Sequence, residues 1–376
     1  MGVSASEPVH AWYRDEPDRR HDRRKAHARV AQCAGWYAAC LIALTASVCA
    51  AWADTYRIAT FNTELSRSGP GFLVRDLAKG DAADISEAVE RLVSADPDIV
   101  VLQGIDYDQK GVALALLRDR LSVAGLELPH SFAARPNTGM PTPFDLDRNG
   151  ALGEARDKQG YGFFSGQGGM AILSRYPILS EKARLFSDLL WRDLPGARLP
   201  RTASGDFYEK DAQSVLRLHR SAAWDVPIAL PDGTLHLLTS HAGPPLFDGP
   251  EDRNGLRNAD EVRFWSLFLG GWSPDGVVAT HDAFVLAGDF NNDPNGGQGI
   301  KADLRDLLAQ PKLQDPVAAP APTVVWEGRS GTTKLRVDYV LPSIAFDVAD
   351  TGMLWPDPER EEASRHALVW VDIVWQ

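Results

Sequence analysis

The 376-residue chain has three cysteines, Cys33, Cys40 and Cys49, and none beyond residue 53. A domain built from the later residues has no disulfide framework and no thiolate metal site, so its stability must come from an apolar core. Positive charge is also scarce: 39 lysines and arginines stand against 51 aspartates and glutamates, a net charge of −12. That balance argues against tight non-specific nucleic-acid binding, which needs a basic footprint to neutralise phosphates. Internal repeats and low-complexity tracts are missing too, which excludes solenoids and propellers.

The one long apolar run spans Gly35 to Ala53. It follows a leader rich in arginine, with pairs at Arg19-Arg20 and Arg23-Arg24, and it closes in Ala51-Trp52-Ala53 before Asp54. A basic stretch, an apolar stretch and an A-x-A ending make the pattern of a secretory signal peptide. Residues 1–53 are therefore expected to be cleaved, leaving one domain, residues 54–376, in the periplasm or outside the cell. An uncleaved anchor is the alternative, because the run is nearly long enough to span a bilayer. Once the leader is cleaved no stable membrane anchor remains, and the rest carries 32 basic and 46 acidic residues, a charge of −14.

From Thr55 onward, short apolar runs alternate with helical patterns. Tyr56–Asn62 reads as a strand, Asp84–Val93 repeats apolar residues at helical spacing, and Asp98–Gln103 is a β-branched run of the kind buried on both faces. Further strands are expected at Met170–Leu173, Leu235–Ser240, Ala283–Ala287, Leu335–Leu341 and Leu368–Ile373, with a helix at Asp260–Leu269. This mixture predicts an α/β fold of two packed, mainly antiparallel sheets with helices outside. Residues 127–168 and 190–225 read as loop-rich elaborations, and the domain is expected to be a monomer.

Polar residues at the ends of buried strands are where chemistry is to be sought, because the strand presents them without burying them uselessly. Asn62 closes the first strand, with Glu64 two residues on. Gln103-Gly104-Ile105-Asp106 closes the second. His241 follows Leu235–Ser240 in SHAGPP, Asp289 and Asn291 follow the next strand in LAGDFNND, Asp338 lies in LRVDYVLPS, and His366 in SRHALVW.

The pieces TFN, GMAILSRYPI, GDFN, VDYV and a late S-x-H occur in the order used by the endonuclease/exonuclease/phosphatase superfamily, which this chain resembles from Arg57 to Ile373. The resemblance implies a four-layer α/β sandwich and hydrolysis of a phosphodiester or phosphomonoester by activated water. It implies His366 as general acid or base oriented by Asp338, Asp289 activating water, and Asn291 bonding phosphate oxygens. His241 would protonate the leaving oxygen, and Asn62 would hold phosphate or a neighbouring ligand. A divalent cation, Mg or Mn, would neutralise charge on the phosphoryl group. A nuclease, or a non-catalytic phosphate- or lipid-binding protein on the same fold, are the alternatives.

Two positions depart from the family pattern, and both belong to its metal site. Gly104 stands where the family has a glutamate, and Arg365 where it has the aspartate of S-D-H. One expectation is a relocated metal held by Glu64 and Asp106; the competing one is a cation-free site with Arg365 on the phosphate, which a guanidinium suits. Separately, Asp145, Asp147 and Asn149 followed by Gly150 form the first half of a calcium loop, with Glu154 or Asp157 replacing the missing glutamate at Arg156. The polar stretch Gly249–Glu261 reads either as a solvated loop or as a lid carrying Arg253 and Arg257 toward phosphate. His219 and His236, with Trp191, Trp224, Trp265 and Trp370, read as packing residues.

Overall fold

The computed structural model describes residues 54–376 apart from 280–281, 318–320 and 329–330. The expected leader, with its three cysteines, lies outside the described residues. Two large sheets dominate. Their strands are β1 (Thr55–Asn62), β2 (Ile99–Ile105), β3 (His130–Phe132), β4 (Gly169–Ser174), β5 (Arg184–Leu185), β6 (Ala223–Leu230), β7 (Gly233–His241), β8 (Phe284–Asp289), β9 (Asp338–Pro342), β10 (Phe346–Leu354) and β11 (Leu368–Trp375). One sheet has the order β10-β11-β1-β2-β4-β3 and the other β9-β8-β7-β6-β5. Within them β1 pairs with β2 and β7 with β8 in parallel, and the remaining neighbours are antiparallel.

Side-chain alternation along the strands assigns each residue to a layer. Ile58, Val101, Ile172, Trp224, Leu237, Val285 and Val371 meet between the sheets. Their sequence neighbours, among them Ala59, Phe61, Leu102 and Leu173, face the other way, onto the helices Phe72–Lys79, Ala83–Ala95 and Val112–Val123. Behind the second sheet, Leu238, Leu286 and Tyr339 pack on the helix Arg253–Leu269 and on Ala302–Leu308, through Phe264, Trp265, Phe268 and Leu304. The result is the expected four-layer sandwich. Among the described residues no helix is long and apolar enough to cross a membrane.

Two expected elements differ in extent. The helix beginning at Asp260 starts at Arg253, so most of the polar stretch 249–261 is the first turns of that helix. Its buried polar residues hold neighbouring loops: Asn258 donates to the carbonyls of Gly243 and Phe290, and Asp260 accepts from the Trp191 indole. The run Leu335–Leu341 is broken at Arg336-Val337, where a hairpin strand ends and β9 begins. The tryptophans behave as packing residues, with Trp370 lying under the Arg57 guanidinium.

Candidate active site

Four strand ends converge at one edge of the sandwich. Register places Asn62 beside Gln103, His241 beside Asp289, and Asp289 opposite Asp338. A hydrogen bond from Asn62 Nδ2 to Asp289 Oδ2, at 2.9 Å, joins the two sheets there. His366 arrives from the loop before β11, and Arg91 of the helix Ala83–Ala95 fixes that loop. Its guanidinium is paired to Glu87 and donates to the His366 carbonyl at 2.5 Å. Ser364 adds a bond from its hydroxyl to the Asn62 carbonyl at 2.6 Å.

The core of the site is buried. His366 Nδ1 lies 2.9 Å from Asp338 Oδ2, and Asp289 and Asp338 are 0% and 1% exposed. Burial would push the His366 pKa down, but the Asp338 charge and hydrogen bond, helped by Asp289, lift it to about 9. Burial beside Asp338 lifts Asp289 to about 7. His241 Nε2 is 3.5 Å from Asp289 Oδ2, and there burial and the Arg220 charge hold the ring down, at about 3. One imidazole is therefore a cation at neutral pH and the other is neutral. The neutral ring can donate a hydrogen bond but brings no extra proton, whereas the charged ring carries one.

The amides are committed within the site. Asn62 donates to Asp289 and accepts from the Glu64 amide at 3.2 Å, while Asn291 donates to the Ala242 carbonyl at 2.9 Å and its own amide binds Asp289 Oδ1 at 2.8 Å. Both asparagines thus orient the Asp289 carboxylate. Backbone strain gathers at the same place, with Glu64 and Asn291 each at φ 49°. Above this core lies a cleft of about 490 Å³ lined by Asn62, Glu64, Gly104, Arg220, His241 and Arg365.

The sequence pattern of the endonuclease/exonuclease/phosphatase family matches residues 59–366. This chain belongs to that family. Its described structure resembles an endonuclease/exonuclease/phosphatase from Beutenbergia cavernae, at TM-score 0.52 and 20% identity, covering 85% of this chain and 72% of that one. It is also similar to the human Nocturnin catalytic domain, at TM-score 0.46 and 14% identity, covering 86% and 97%. A third similar structure is sphingomyelinase C from Streptomyces griseocarneus, at TM-score 0.44 and 15% identity, covering 85% and 99%. No curated protein matches the chain. As a member of the endonuclease/exonuclease/phosphatase family, the protein is a hydrolase acting on phosphoester bonds.

Enzymes of this family typically depend on a divalent cation, and the described residues hold two acidic clusters that bear on that question. The family's own ligand positions do not fit one here. Gly104 and Arg365 stand at two of them, and the Glu64 carboxylate is spent on the Arg365 amide, at 2.9 Å, and on its guanidinium. Asp106 does not supply the missing ligand, because its oxygens accept from the amides of Arg67 and Gly168, each at 2.9 Å. In the first cluster, Asp289, Asp338 and His366, internal hydrogen bonds leave Asp338 Oδ1 as the carboxylate oxygen without a partner. One free oxygen is a poor donor set for Mg²⁺, which wants six oxygens in near-octahedral order. Glu64 and Asp106, expected to hold a relocated metal, are thus each engaged by protein donors and are not brought together in either acidic cluster among the described residues.

The second cluster unites Asp145, Asp147 and Asp157, as the calcium-loop pattern suggested. Asn149 stands beside it, its Oδ1 accepting from the Ala151 amide at 2.7 Å and its Nδ2 donating to Asp147 and Glu154. The lid residues also resolve differently. Arg257 donates to the carbonyls of Leu218, Gln159 and Arg217, and Arg253 is paired with Glu251. Arg257 is thus committed to backbone carbonyls, while Arg253 is held through Nη1 and lines a cavity of about 450 Å³ beside the cleft. His219 packs edge-on against Phe264, fully buried, as a core residue.

Sequence reasoning missed Arg220. It lines the cleft and a neighbouring cavity of about 450 Å³, and its guanidinium has no hydrogen-bond partner among the described residues. Gly160 and Gly243 make room for it, since a Cβ at Gly243 would come within 2.9 Å of its Cδ. No motif surrounds Arg220 in LHRSAAW, so nothing local marked it. Trp326, whose ring centroid lies 6.0 Å from that of His366, escaped for the same reason.

Proposed function

We propose that the protein is an exported hydrolase that uses water to cleave a small phosphodiester or phosphomonoester. The observation that carries this reading is the buried His366–Asp338 pair beside Asp289, below a cleft lined by two arginines. Asp289 takes a proton from the attacking water, and the Asn62 and Asn291 bonds hold the carboxylate in place for it. As the P–O bond breaks, the His366 imidazolium donates its Nε2 proton to the leaving oxygen. Asp338 keeps the ring protonated at Nδ1 and correctly turned. His241 donates a hydrogen bond to a phosphoryl oxygen, where a preorganised donor lowers the barrier.

Export is supported by the leader pattern, and the acidic balance favours a small substrate over DNA. The deciding assay offers the chain from Asp54 a chromogenic phosphodiester, the corresponding monoester and plasmid DNA, with His366→Ala as control. Turnover of either small ester that the variant loses supports the proposal. Rapid cleavage of plasmid alone would make it a nuclease, and no turnover of any of the three would point to binding without catalysis.

A calcium ion at Asp145, Asp147 and Asp157 belongs to the same proposal. What supports it beyond the cluster is Asp147, whose side chain is 5% exposed and whose Oδ1 has no partner. Calcium takes a flexible shell of six to eight oxygens, so carboxylates that already accept backbone amides can still face it, which the near-octahedral order of Mg²⁺ does not allow as readily.

A further inference from the structure

The departures from the family pattern at Gly104 and Arg365 are parts of a single rearrangement. At Gly104 the backbone sits at φ 70°, in a register shift of β2 against β4, and a Cβ there would lie 2.5 Å from Asn62 Oδ1 and 3.0 Å from the Glu64 amide nitrogen. The chain after β1 occupies the room that a side chain at residue 104 would take. Glu64, itself at φ 49°, is thereby turned onto residue 365. Its carboxylate accepts the Arg365 amide at 2.9 Å and Nε at 3.1 Å, and is closely paired with Nη2. That grip fixes the guanidinium on both its backbone and its side chain, and it raises the pKa so the group stays charged. Nη1 has no partner among the described residues, and Arg365 lines the cleft with Arg220 and His241.

We propose that the Arg365 guanidinium, oriented by Glu64, does the work of the family's divalent cation by binding the substrate phosphoryl group directly. The proposal rests on the phosphoester reading above and deepens it. A cation in this family serves to neutralise phosphoryl charge, and a planar guanidinium does that with directional N–H donors and no coordination sphere to fill. Gly104 and Arg365 are then compensating residues, one vacating a ligand position and the other supplying charge.

The test measures binding of inorganic phosphate by titration calorimetry, on the chain from Asp54 with wild-type, Arg365→Gln and Arg365→Lys side chains. Each titration is run in EDTA and again with Mg²⁺ or Mn²⁺. Melting curves confirm folding, which the half-exposed position of Arg365 favours. The expected result is that wild-type binding is the same in EDTA as with either cation. Arg365→Gln should weaken it by about tenfold or more, as loss of a charge-assisted bond does, with Arg365→Lys between the two. Phosphate binding that vanishes in EDTA and returns with cation overturns the proposal, as does Arg365→Gln binding like wild type. If no ester is turned over while phosphate binding still follows the Arg365 charge, the hydrolase reading fails and this one stands.

Discussion

His366 and Asp289 hold opposite charges only over a limited pH range, and that sets the first expectation at the residue scale. The active form proposed has Asp289 ionised, above about 7, and His366 protonated, below about 9. The rate should accordingly follow a bell between those values. Asp338→Asn removes the carboxylate that lifts His366, so the alkaline limb should move down and kcat should fall by roughly a hundredfold or more. A pH profile of kcat/KM for both proteins checks this; an unmoved alkaline limb would sink the assignment of His366. At this scale the sequence was informative where side chains follow directly from a strand end. Asn62, His241, Asp289 and Asp338 could be picked out because buried strands must finish in something polar, and register then brings them together. The Glu64–Arg365 pair joins residues 301 positions apart, and no periodicity connects them.

At the scale of elements, the loop from Asp145 to Asp157 offers a separate measurement. Asp147 and Asp157 are nearly or fully buried, and the three like charges repel with only the exposed Arg156 beside them among the described residues, 3.4 Å from Asp147 Oδ2. Calcium at 100 times its dissociation constant should stabilise the fold by about 2.7 kcal/mol, seen as a rise of several degrees in melting temperature over the EGTA-treated protein. Asp147→Asn should abolish most of the rise, whereas equal melting with calcium and EGTA would mark the cluster as a polar turn. The loop's composition was readable because liganding oxygens at alternate positions, with glycine to turn the chain, leave a local signature. The helix Arg253–Leu269 was read less well. Its first turns are polar on a face that is buried, where Asn258, Asp260 and Glu261 bond loops instead of water. Amphipathic periodicity locates a helix only when the buried face is apolar.

For the whole molecule, the pKa shifts combine into a stability profile. His366 is raised above its ordinary value, so the stability it contributes is present below pH 6.5 and is lost as pH rises through about 9. Asp289 and Glu261 are also raised, each to about 7, and they too lose their contribution as pH climbs toward that value. The melting temperature of the ligand-free chain from Asp54 should therefore decline between pH 6.5 and 9. Scanning calorimetry across that range checks it, and a flat or rising curve would contradict the buried charges described. The sandwich itself was legible at this scale because alternate residues of each strand belong to different layers. Which loops wall the cleft was not, since packing between distant segments decides that.

Gly104 also bears on how this site can change. Restoring a carboxylate there by one substitution would force a side chain onto Asn62 Oδ1 at 2.5 Å and onto a backbone that only glycine adopts readily. Placing aspartate at residue 365 alone would set it against Glu64, with the cation gone and nothing to hold the two apart. Each single step toward the family's usual pattern thus passes through a worse protein, so a lineage that has taken this arrangement is held in it unless several residues change together.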